Sequence, residues 1–180
     1  MRALAILGVF VVACLSGSAV GSQMSTVQAS PPSGLLLQPG QPAPAFRSRD
    51  PQGNAIALHD YRGRPVIVNF WATWCAPCRQ EMRALQAIYE LYQAAGLVVL
   101  ALSQDQDESA ELVRAYWSRM ALTFLPLLDT DGRVATHYSV FMLPSTVFIY
   151  PSGTIAAVHL GPLTQGQIEH YLKAILAQAD

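Results

Sequence analysis

The chain has 180 residues and a formal net charge of −1 at pH 7, and 52% of its residues are hydrophobic. This length is sufficient for one domain with a hydrophobic core. Because acidic and basic residues nearly balance and no basic stripe is visible, the composition argues against nucleic acid as a partner.

The first 21 residues have the pattern of an export segment. A single cation, Arg2, precedes an uncharged apolar run over residues 3–20, which is the order found in a signal sequence. The run is marginal for a membrane span, which takes roughly 20 apolar residues. We therefore expect residues 1–21 to be a signal or a membrane anchor. The rest of the chain would lie outside the cytoplasm, facing the periplasm or the cell exterior.

Within the export segment, Cys14 follows the small residue Ala13 and an apolar run. This arrangement resembles the lipobox of bacterial lipoproteins, in which the cysteine becomes the lipidated first residue of the mature protein. Two alternatives remain open, in which Cys14 is only a small apolar residue. The segment is then either an uncleaved anchoring helix or an ordinary signal that is cleaved near Gly21.

Residues 22–41 are rich in Ser, Gly, Gln and Pro, a composition typical of a flexible tether. A folded domain is expected over residues 42–180. It begins with two short strands joined by a turn at residues 50–54. Residues 65–72 then form a continuous β-branched and aromatic run, which is typical of a strand buried on both faces.

The remaining elements alternate between helices and strands. The patterns predict helices over residues 76–95, 108–120, 134–138 and 164–178, and strands over 97–103, 125–128, 145–150 and 154–160. Gly96 is expected to end the first helix. This order predicts an α/β fold with a central sheet flanked by helices and an antiparallel hairpin at one edge.

The chain has three cysteines, and two of them, Cys75 and Cys78, fall in the expected domain. A secreted fold stapled by disulfides would have more pairs, and a four-ligand zinc site would need two further ligands. The sequence has neither a second cysteine pair nor a histidine pair at ligand spacing. We therefore expect no metal and no bound cofactor, and a redox-active disulfide between Cys75 and Cys78.

Cys75 stands where a buried strand gives way to a helix. The unpaired N–H groups and the positive end of the dipole at a helix start stabilise a thiolate, which is the reactive form of cysteine. Pro77 fits the first helical turn, and Cys78 lies one turn deeper. The asymmetry predicts a dithiol in which Cys75 attacks a partner disulfide and Cys78 resolves the mixed disulfide. A structural disulfide or half of a metal site is the alternative.

Two motifs carry a family resemblance. "FWATWCAPC" together with "MLPST" near residue 144 resembles the thioredoxin superfamily. "NFWATWCAPCRQE" is similar to the TlpA/ResA-like branch of exported, membrane-tethered thiol–disulfide oxidoreductases, which includes the cytochrome c maturation thioredoxins. The resemblance extends over residues 42–177. It implies a monomeric thioredoxin-like fold with a central mixed sheet and an N-terminal β-hairpin extension.

The same resemblance implies an activity and partners. The expected activity is reduction of disulfides in partner proteins, with apocytochrome c as the favoured client. A reductant in an oxidising compartment needs an electron donor, and the family implies a transmembrane protein of the CcdA or DsbD type. The family also has a cis peptide bond at the position of Leu143–Pro144. These two residues, with Trp74, Phe141 and Met142, are the expected substrate-binding residues.

Glu81 is the third expected catalytic residue. It lies on one helical face with residues that are otherwise mostly apolar, namely Cys78, Leu85, Ile88 and Tyr92. Partial burial should raise the pKa of this carboxyl and allow it to take the proton that Cys78 loses. The alternative is that Glu81 only complements the helix dipole.

Three further positions in the motif region bear on the site. Thioredoxin has a buried Asp at the position of Asn69, which cannot titrate, and the TlpA/ResA-like branch resembles this chain in having Asn there. Arg83 stands where the branch usually has a helix-kinking proline, so a straighter helix is expected. We expect Trp71 to lie partly at the surface near the site, with core packing as an equal alternative.

Two other functions share the fold. A peroxiredoxin-like thiol peroxidase of the AhpC/TSA type would need a proline, a threonine and an arginine around a single reactive cysteine. "TWC" supplies a threonine, but Trp74 is unlike that class. A copper-binding assembly protein would space its cysteines three residues apart and add a histidine, whereas two residues separate Cys75 from Cys78.

Overall fold

A computed structural model describes residues 37–106 and 109–177. The expected export segment, Cys14 and residues 22–36 of the expected tether lie outside these described residues. No helix in the described part of the chain combines the length and the hydropathy needed to cross a membrane. The described residues form the domain that carries Cys75 and Cys78.

The domain is built on one mixed sheet of seven strands. In chain order these are β1 (Arg47–Arg49), β2 (Ala55–Ala57), β3 (Val66–Trp71), β4 (Val98–Ser103), β5 (Leu125–Leu128), β6 (Ser145–Ile149) and β7 (Ile155–Leu160). Their spatial order is β2-β1-β5-β4-β3-β6-β7. The central β3, β4 and β5 are parallel, whereas β6 and β7 form an antiparallel edge. The expected α/β architecture with a mixed central sheet is confirmed.

Four helices cover the sheet, and their bounds are α1 (Ala76–Tyr92), α2 (Ser109–Met120), α3 (Arg133–His137) and α4 (Gln165–Leu176). Apolar residues of α1, α2 and α4 form one core cluster on one face of the sheet. Residues of α3 and of the N-terminal segment form a second cluster on the other face. Every residue of β3 and β4 is buried, because both faces of the central strands are covered.

Helix α1 runs without interruption through Arg83 to Tyr92 and continues as a 3-10 turn over Gln93–Ala95. Gly96 ends this segment with φ at +92°, a left-handed conformation that favours glycine. The expected stop at Gly96 is therefore confirmed. The last turn is tighter than the regular helix that the sequence pattern predicted.

The expected N-terminal hairpin is present and is joined to the main sheet. Strands β1 and β2 are antiparallel, and Asp50 accepts hydrogen bonds from the backbone N–H groups of Gln52 and Asn54 within the turn. The Ser48 hydroxyl donates to the carbonyl of Leu128 at 2.7 Å. The hairpin thus extends the sheet beyond β5.

The ordered fold begins slightly before residue 42. The backbone N–H of Gly40 donates to the carbonyl of Ile155, and the N–H of Ile155 donates to the carbonyl of Gln41, both at 2.8 Å. Leu37 packs against the core cluster on the α3 face. Residues 40 and 41, which the sequence pattern assigned to the tether, are therefore fixed to β7.

Candidate active site

Cys75 and Cys78 form a disulfide at the start of α1. Cys75 has an extended backbone and caps the helix, and its Sγ accepts a hydrogen bond from the backbone N–H of Cys78 at 3.3 Å. Pro77 occupies the first turn, where a missing N–H leaves no helical hydrogen bond unmade. The sulfur of Cys75 therefore lies at the positive end of the helix dipole.

The two cysteines differ in their surroundings. Cys75 is 5% exposed and borders a surface groove, whereas Cys78 is 0% exposed. Burial of Cys78 follows from its position one turn into α1, on the face that packs against the sheet. The sulfur of Cys75 is the one that a partner can approach from this groove.

The groove beside Cys75 is mostly apolar. Trp74, Phe141 and Met142 line it and are 71%, 66% and 42% exposed. Leu143 lines it as well. None of the described lining residues is charged. The structure therefore brings four of the five expected substrate-binding residues together around Cys75.

The fifth expected residue, Pro144, is buried and is not among the groove-lining residues. The Leu143–Pro144 peptide bond is cis, as the resemblance implied. The carbonyl of Pro144 accepts a hydrogen bond from the N–H of Gly161 at 2.9 Å, and the Ser145 hydroxyl donates to the carbonyl of Met142 at 2.8 Å. These bonds fix the segment that carries Phe141 and Met142.

Glu81 is almost completely buried and belongs to a polar network beneath the disulfide. Its side chain is 1% exposed. Thr146 on β6 donates its hydroxyl to Oε1 at 3.0 Å, and Asn69 on β3 donates its amide to Oε2 at 3.1 Å. The Asn69 amide also donates to the Thr146 hydroxyl at 2.9 Å. The carboxyl is thus held by two strands that α1 covers.

Burial raises the pKa of Glu81 from 4.5 to about 7, although hydrogen bonds from Thr146, Asn69 and the backbone of Leu163 act in the opposite direction. Loss of hydration disfavours the charged form more than two neutral side-chain donors favour it. The expected upward shift is confirmed. The carboxyl can therefore exist in either protonation state near neutral pH.

The partial surface exposure that was expected for Trp71 is wrong, and the alternative of core packing is correct. Trp71 is 0% exposed. Its ring packs against Tyr116 and Trp117 of α2, with centroid separations of 4.8 and 5.1 Å. Trp71 ends β3, a strand that is buried on both faces, so its side chain enters the layer between the sheet and α2.

The sequence patterns missed two residues beside the site. Thr146 was recognised only as the last residue of the "MLPST" motif and as part of a strand, although a threonine in a buried apolar strand signals a polar partner. Asp105 was missed entirely. It follows β4 and contacts Thr73, and an acid at the C-terminal end of a parallel strand is a known signal for a site in α/β folds.

The side chains around the disulfide bear on the two alternative functions. Within the described residues, no group of three or more His, Cys, Asp or Glu side chains is placed to hold a metal ion. The Thr73 hydroxyl, which a peroxidase would direct toward its reactive cysteine, instead donates to Asp105 at 2.7 Å. The chemistry of this site therefore centres on the two sulfurs.

The family model described as "AhpC/TSA family" matches residues 39–158. The chain belongs to the AhpC/TSA family. The chain is 36% identical over 136 residues to the thioredoxin-like protein YneN of Bacillus subtilis, and the match covers 76% of this chain and 79% of the relative. It is 35% identical over 136 residues to the thiol-disulfide oxidoreductase ResA of Geobacillus kaustophilus, covering 76% and 77%.

The fold of the chain is also similar to solved structures. A thiol:disulfide interchange protein from Bacteroides sp. superposes with a TM-score of 0.69 and 26% identity, covering 78% of this chain and 91% of the other. Together with the disulfide at the start of α1, these similarities show that the chain is an enzyme. It is a thiol–disulfide oxidoreductase with a thioredoxin-like fold.

Proposed function

We propose that the enzyme reduces disulfides in partner proteins outside the cytoplasm, with Cys75 as the attacking residue and Cys78 as the resolving residue. The unequal surroundings of the two sulfurs carry this proposal, because Cys75 borders an open groove and Cys78 is enclosed. In the proposed cycle the two thiols are the only redox group, and no bound cofactor takes part.

In the first step, the Cys75 thiolate attacks one sulfur of a client disulfide. A bond forms between Cys75 and the client, the client disulfide breaks, and its second sulfur leaves as a thiolate that takes up a proton. The N–H of Cys78, which already donates to the Cys75 sulfur, and the start of α1 stabilise the attacking thiolate.

In the second step, the Cys78 thiol loses its proton to Glu81 and attacks the Cys75 sulfur. The mixed disulfide breaks, the client leaves as a thiolate that takes up a proton, and the Cys75–Cys78 disulfide forms. Overall, the client gains two electrons and two protons, and the enzyme loses two electrons and two protons. A pKa of about 7 suits Glu81 to this role, because a proton acceptor works best when its pKa is near the working pH.

The groove supports an extended, largely apolar client segment. Trp74, Phe141 and Met142 offer exposed apolar surface around Cys75, and none of the described groove-lining residues is charged. Exposed aromatic anchors of this kind commonly supply most of the binding energy of an interface. A client cysteine with charged neighbours would lose hydration in this groove without gaining a partner.

Apocytochrome c is our proposed client, and the electron donor is proposed to be a transmembrane protein of the CcdA or DsbD type. Both rest on the resemblance to the TlpA/ResA-like branch. Export rests on the signal-like pattern of residues 1–21. The proposal is that the oxidised enzyme returns to its dithiol form by passing its disulfide to this donor.

The test is to trap the client as a covalent adduct in cells. Cys78→Ser should accumulate mixed disulfides through Cys75, because attack continues and resolution fails. The matched control Cys75→Ser should trap nothing. Identification of the attached proteins names the client directly, and a Cys78→Ser strain without any Cys75-linked adduct would refute the proposed direction of exchange.

Membrane attachment through Cys14 is a separate proposal. If Cys14 carries lipid, Cys14→Ser should release the protein from membranes, because lipid chains supply about 0.8 kcal/mol per buried methylene. Fractionation of cells followed by detection of the protein measures this. Unchanged attachment of the variant would favour an uncleaved anchor, and a wild-type protein that is already released would contradict both attached forms.

A further inference from the structure

Asp105 is a second buried carboxylate near the dithiol, and the steps proposed above do not use it. It lies two residues after Ser103, the last residue of β4, which pairs with Trp71 at the end of β3, and it is 4% exposed. Strands β3 and β4 are parallel, so their C-terminal ends lie at the same edge of the sheet. The loop that leads from β3 to Cys75 starts at this edge.

Both carboxylate oxygens of Asp105 accept hydrogen bonds. Oδ1 accepts from the Thr73 hydroxyl at 2.7 Å, and Oδ2 accepts from the Ser103 hydroxyl at 2.6 Å. The backbone N–H of Thr73 approaches both oxygens, at 3.3 and 3.1 Å. All of these donors are neutral. Among the described residues, no cationic side chain forms an ion pair with Asp105.

A buried carboxylate without a cationic partner is costly for folding, even when neutral groups donate to it. A neutral side chain of similar shape could accept the same N–H and avoid much of that cost. Stability therefore does not explain why a carboxylate, rather than an amide, occupies this position.

The position of Thr73 connects Asp105 to the reactive sulfur. Thr73 is two residues before Cys75, so their Cα atoms are no more than about 7 Å apart. The N–H of Cys75 donates to the carbonyl of Ala72 at 3.1 Å, and the N–H of Gln104 donates to the carbonyl of Trp71 at 2.8 Å. The loop is thus fixed on both sides of its contact with Asp105, with a buried negative charge behind it.

We propose that Asp105 is a positioning residue for the dithiol, which orients the Cys75 loop and opposes thiolate formation at Cys75 through its charge. This inference rests on the proposed reductive function. A dithiol whose thiolate is strongly stabilised becomes an oxidant, because its reduced form is favoured. The start of α1 stabilises the Cys75 thiolate, and Asp105 limits that effect and keeps the pair reducing.

The other charged side chains close to the dithiol in sequence are Arg79 and Glu81, both on α1. From outside α1, Asp129 accepts a hydrogen bond from the side chain of Gln104, a residue that lines the Cys75 groove, at 3.1 Å. Substitutions at Asp105 or Thr73 leave all three charged side chains in place.

Asp129 supplies a matched control, since it is 3% exposed and follows β5, the strand next to β4. Its oxygens accept the N–H groups of Val134 and Ala135 at the start of α3, and Oδ2 also accepts from the Gln104 side chain. Asp129 therefore tests whether a buried carboxylate that contacts the groove only through neutral groups has the same effect.

The test compares Asp105→Asn with Thr73→Val in the reduced protein. Alkylation of Cys75 is measured against pH by mass spectrometry, and the equilibrium with glutathione is measured alongside. Asp105→Asn removes the charge, so the midpoint of the alkylation curve should fall by about half a unit to one unit. The glutathione equilibrium should shift about threefold toward the dithiol form.

Thr73→Val removes the 2.7 Å hydrogen bond but keeps the charge. The carboxylate is then less compensated, and the alkylation midpoint should rise. If Asp105 only holds the loop, both variants loosen the same contact and their curves move in the same direction. That result overturns the proposal. If Asp105→Asn does not fold, the Thr73→Val variant decides alone, and an alkylation curve equal to that of the wild type overturns the proposal.

Asp129→Asn should leave the Cys75 midpoint where it is in the wild type, and an equal shift in this control would also overturn the proposal. The measurement is independent of the client. Failure to trap an adduct with Cys78→Ser would count against the proposed function, whereas the alkylation curves and the glutathione equilibrium report on Asp105 alone.

Discussion

The two sides of the active-site disulfide differ in exposure and in polarity. On the Cys75 side, Trp74 and Phe141 present exposed apolar surface around an uncharged groove. On the Cys78 side, the enclosed Glu81 is bound by Asn69 and Thr146. Binding of a client needs the first environment and transfer of a proton needs the second, so the comparison assigns different tasks to two chemically identical residues.

The largest expected effect comes from removing one sulfur on the exposed side. Cys75→Ser should abolish client reduction completely, because a serine hydroxyl cannot take the place of the attacking thiolate at neutral pH. Turnover of a disulfide client in the presence of a chemical reductant measures this. The assignment of Cys75 as the attacking residue would be wrong if Cys78 were the more readily alkylated thiol of the reduced protein.

A pH experiment on stability sharpens the account of the buried side. Folding raises the pKa of Glu81 from 4.5 to about 7. The folded state therefore retains a proton that the unfolded state has lost within this range, so wild-type stability falls as pH rises from about 4.5 to 7 and then levels off. Glu81→Gln cannot ionise and should be more stable than wild type by up to about 3 kcal/mol at pH 8.

Thermal unfolding of the oxidised proteins at pH 4 and pH 8 measures this difference. The gain should be nearly absent at pH 4, where the carboxyl is protonated in both states. Glu111→Gln, at an exposed acid in the first turn of α2, is the matched control and should show no such pH dependence. Equal melting temperatures of Glu81→Gln and wild type at pH 8 would mean that burial does not penalise the charge of Glu81.

The same substitution tests the catalytic side of the comparison. Glu81→Gln should slow turnover by about a hundredfold, the usual size of a lost general acid–base group. Resolution by Cys78 should be affected more than attack by Cys75, so the mixed disulfide should live longer. Single-turnover reduction of a client disulfide and thiol alkylation against pH measure the two steps.

If rates and alkylation curves of Glu81→Gln coincide with those of wild type, Glu81 serves only as a charge near the helix start. The two groups titrate as a coupled pair, so the prediction concerns the apparent curves. A negative charge near a thiol raises the pKa of that thiol. Loss of the Glu81 charge should therefore move the alkylation curve to lower pH.

The smallest expected effect concerns the groove. Trp74→Ala should lower kcat/KM for a protein client by about tenfold, through loss of an exposed aromatic contact. Reduction of a small disulfide such as glutathione disulfide should be nearly unchanged. Leu91→Ala is the control, because Leu91 is also an exposed apolar residue, 63% accessible, near the other end of α1. Equal losses for both substrates would show that Trp74 supports the fold of the site instead of binding clients.

Much of the site could be predicted from local sequence. The run before Cys75 forms β3, the two-residue spacing places Cys78 one turn into α1, and Glu81 falls on the same buried face. The period of a helix alone dictates this last relation. Burial of a carboxyl on that face, and the direction of its pKa shift, follow from the same pattern.

The environment of Trp71 illustrates what a local pattern leaves open. Trp71 and Trp74 stand three residues apart in one motif, yet one is 0% and the other 71% exposed. A strand that is buried on both faces lacks the alternation that would reveal where each side chain points. The position of α2 over β3, which is a long-range contact, decided the outcome.

The sequence by itself determined which residues are neighbours along α1 and that two thiols and one carboxyl share its beginning. Only the tertiary structure decided their partners, because Thr146 lies 65 residues after Glu81, and Asp105 lies 32 residues after Thr73. Such contacts depend on the order of strands in the sheet, which places the ends of β3, β4 and β6 side by side. Helical periodicity extends over a few residues, whereas strand pairing joins segments that are distant in the chain.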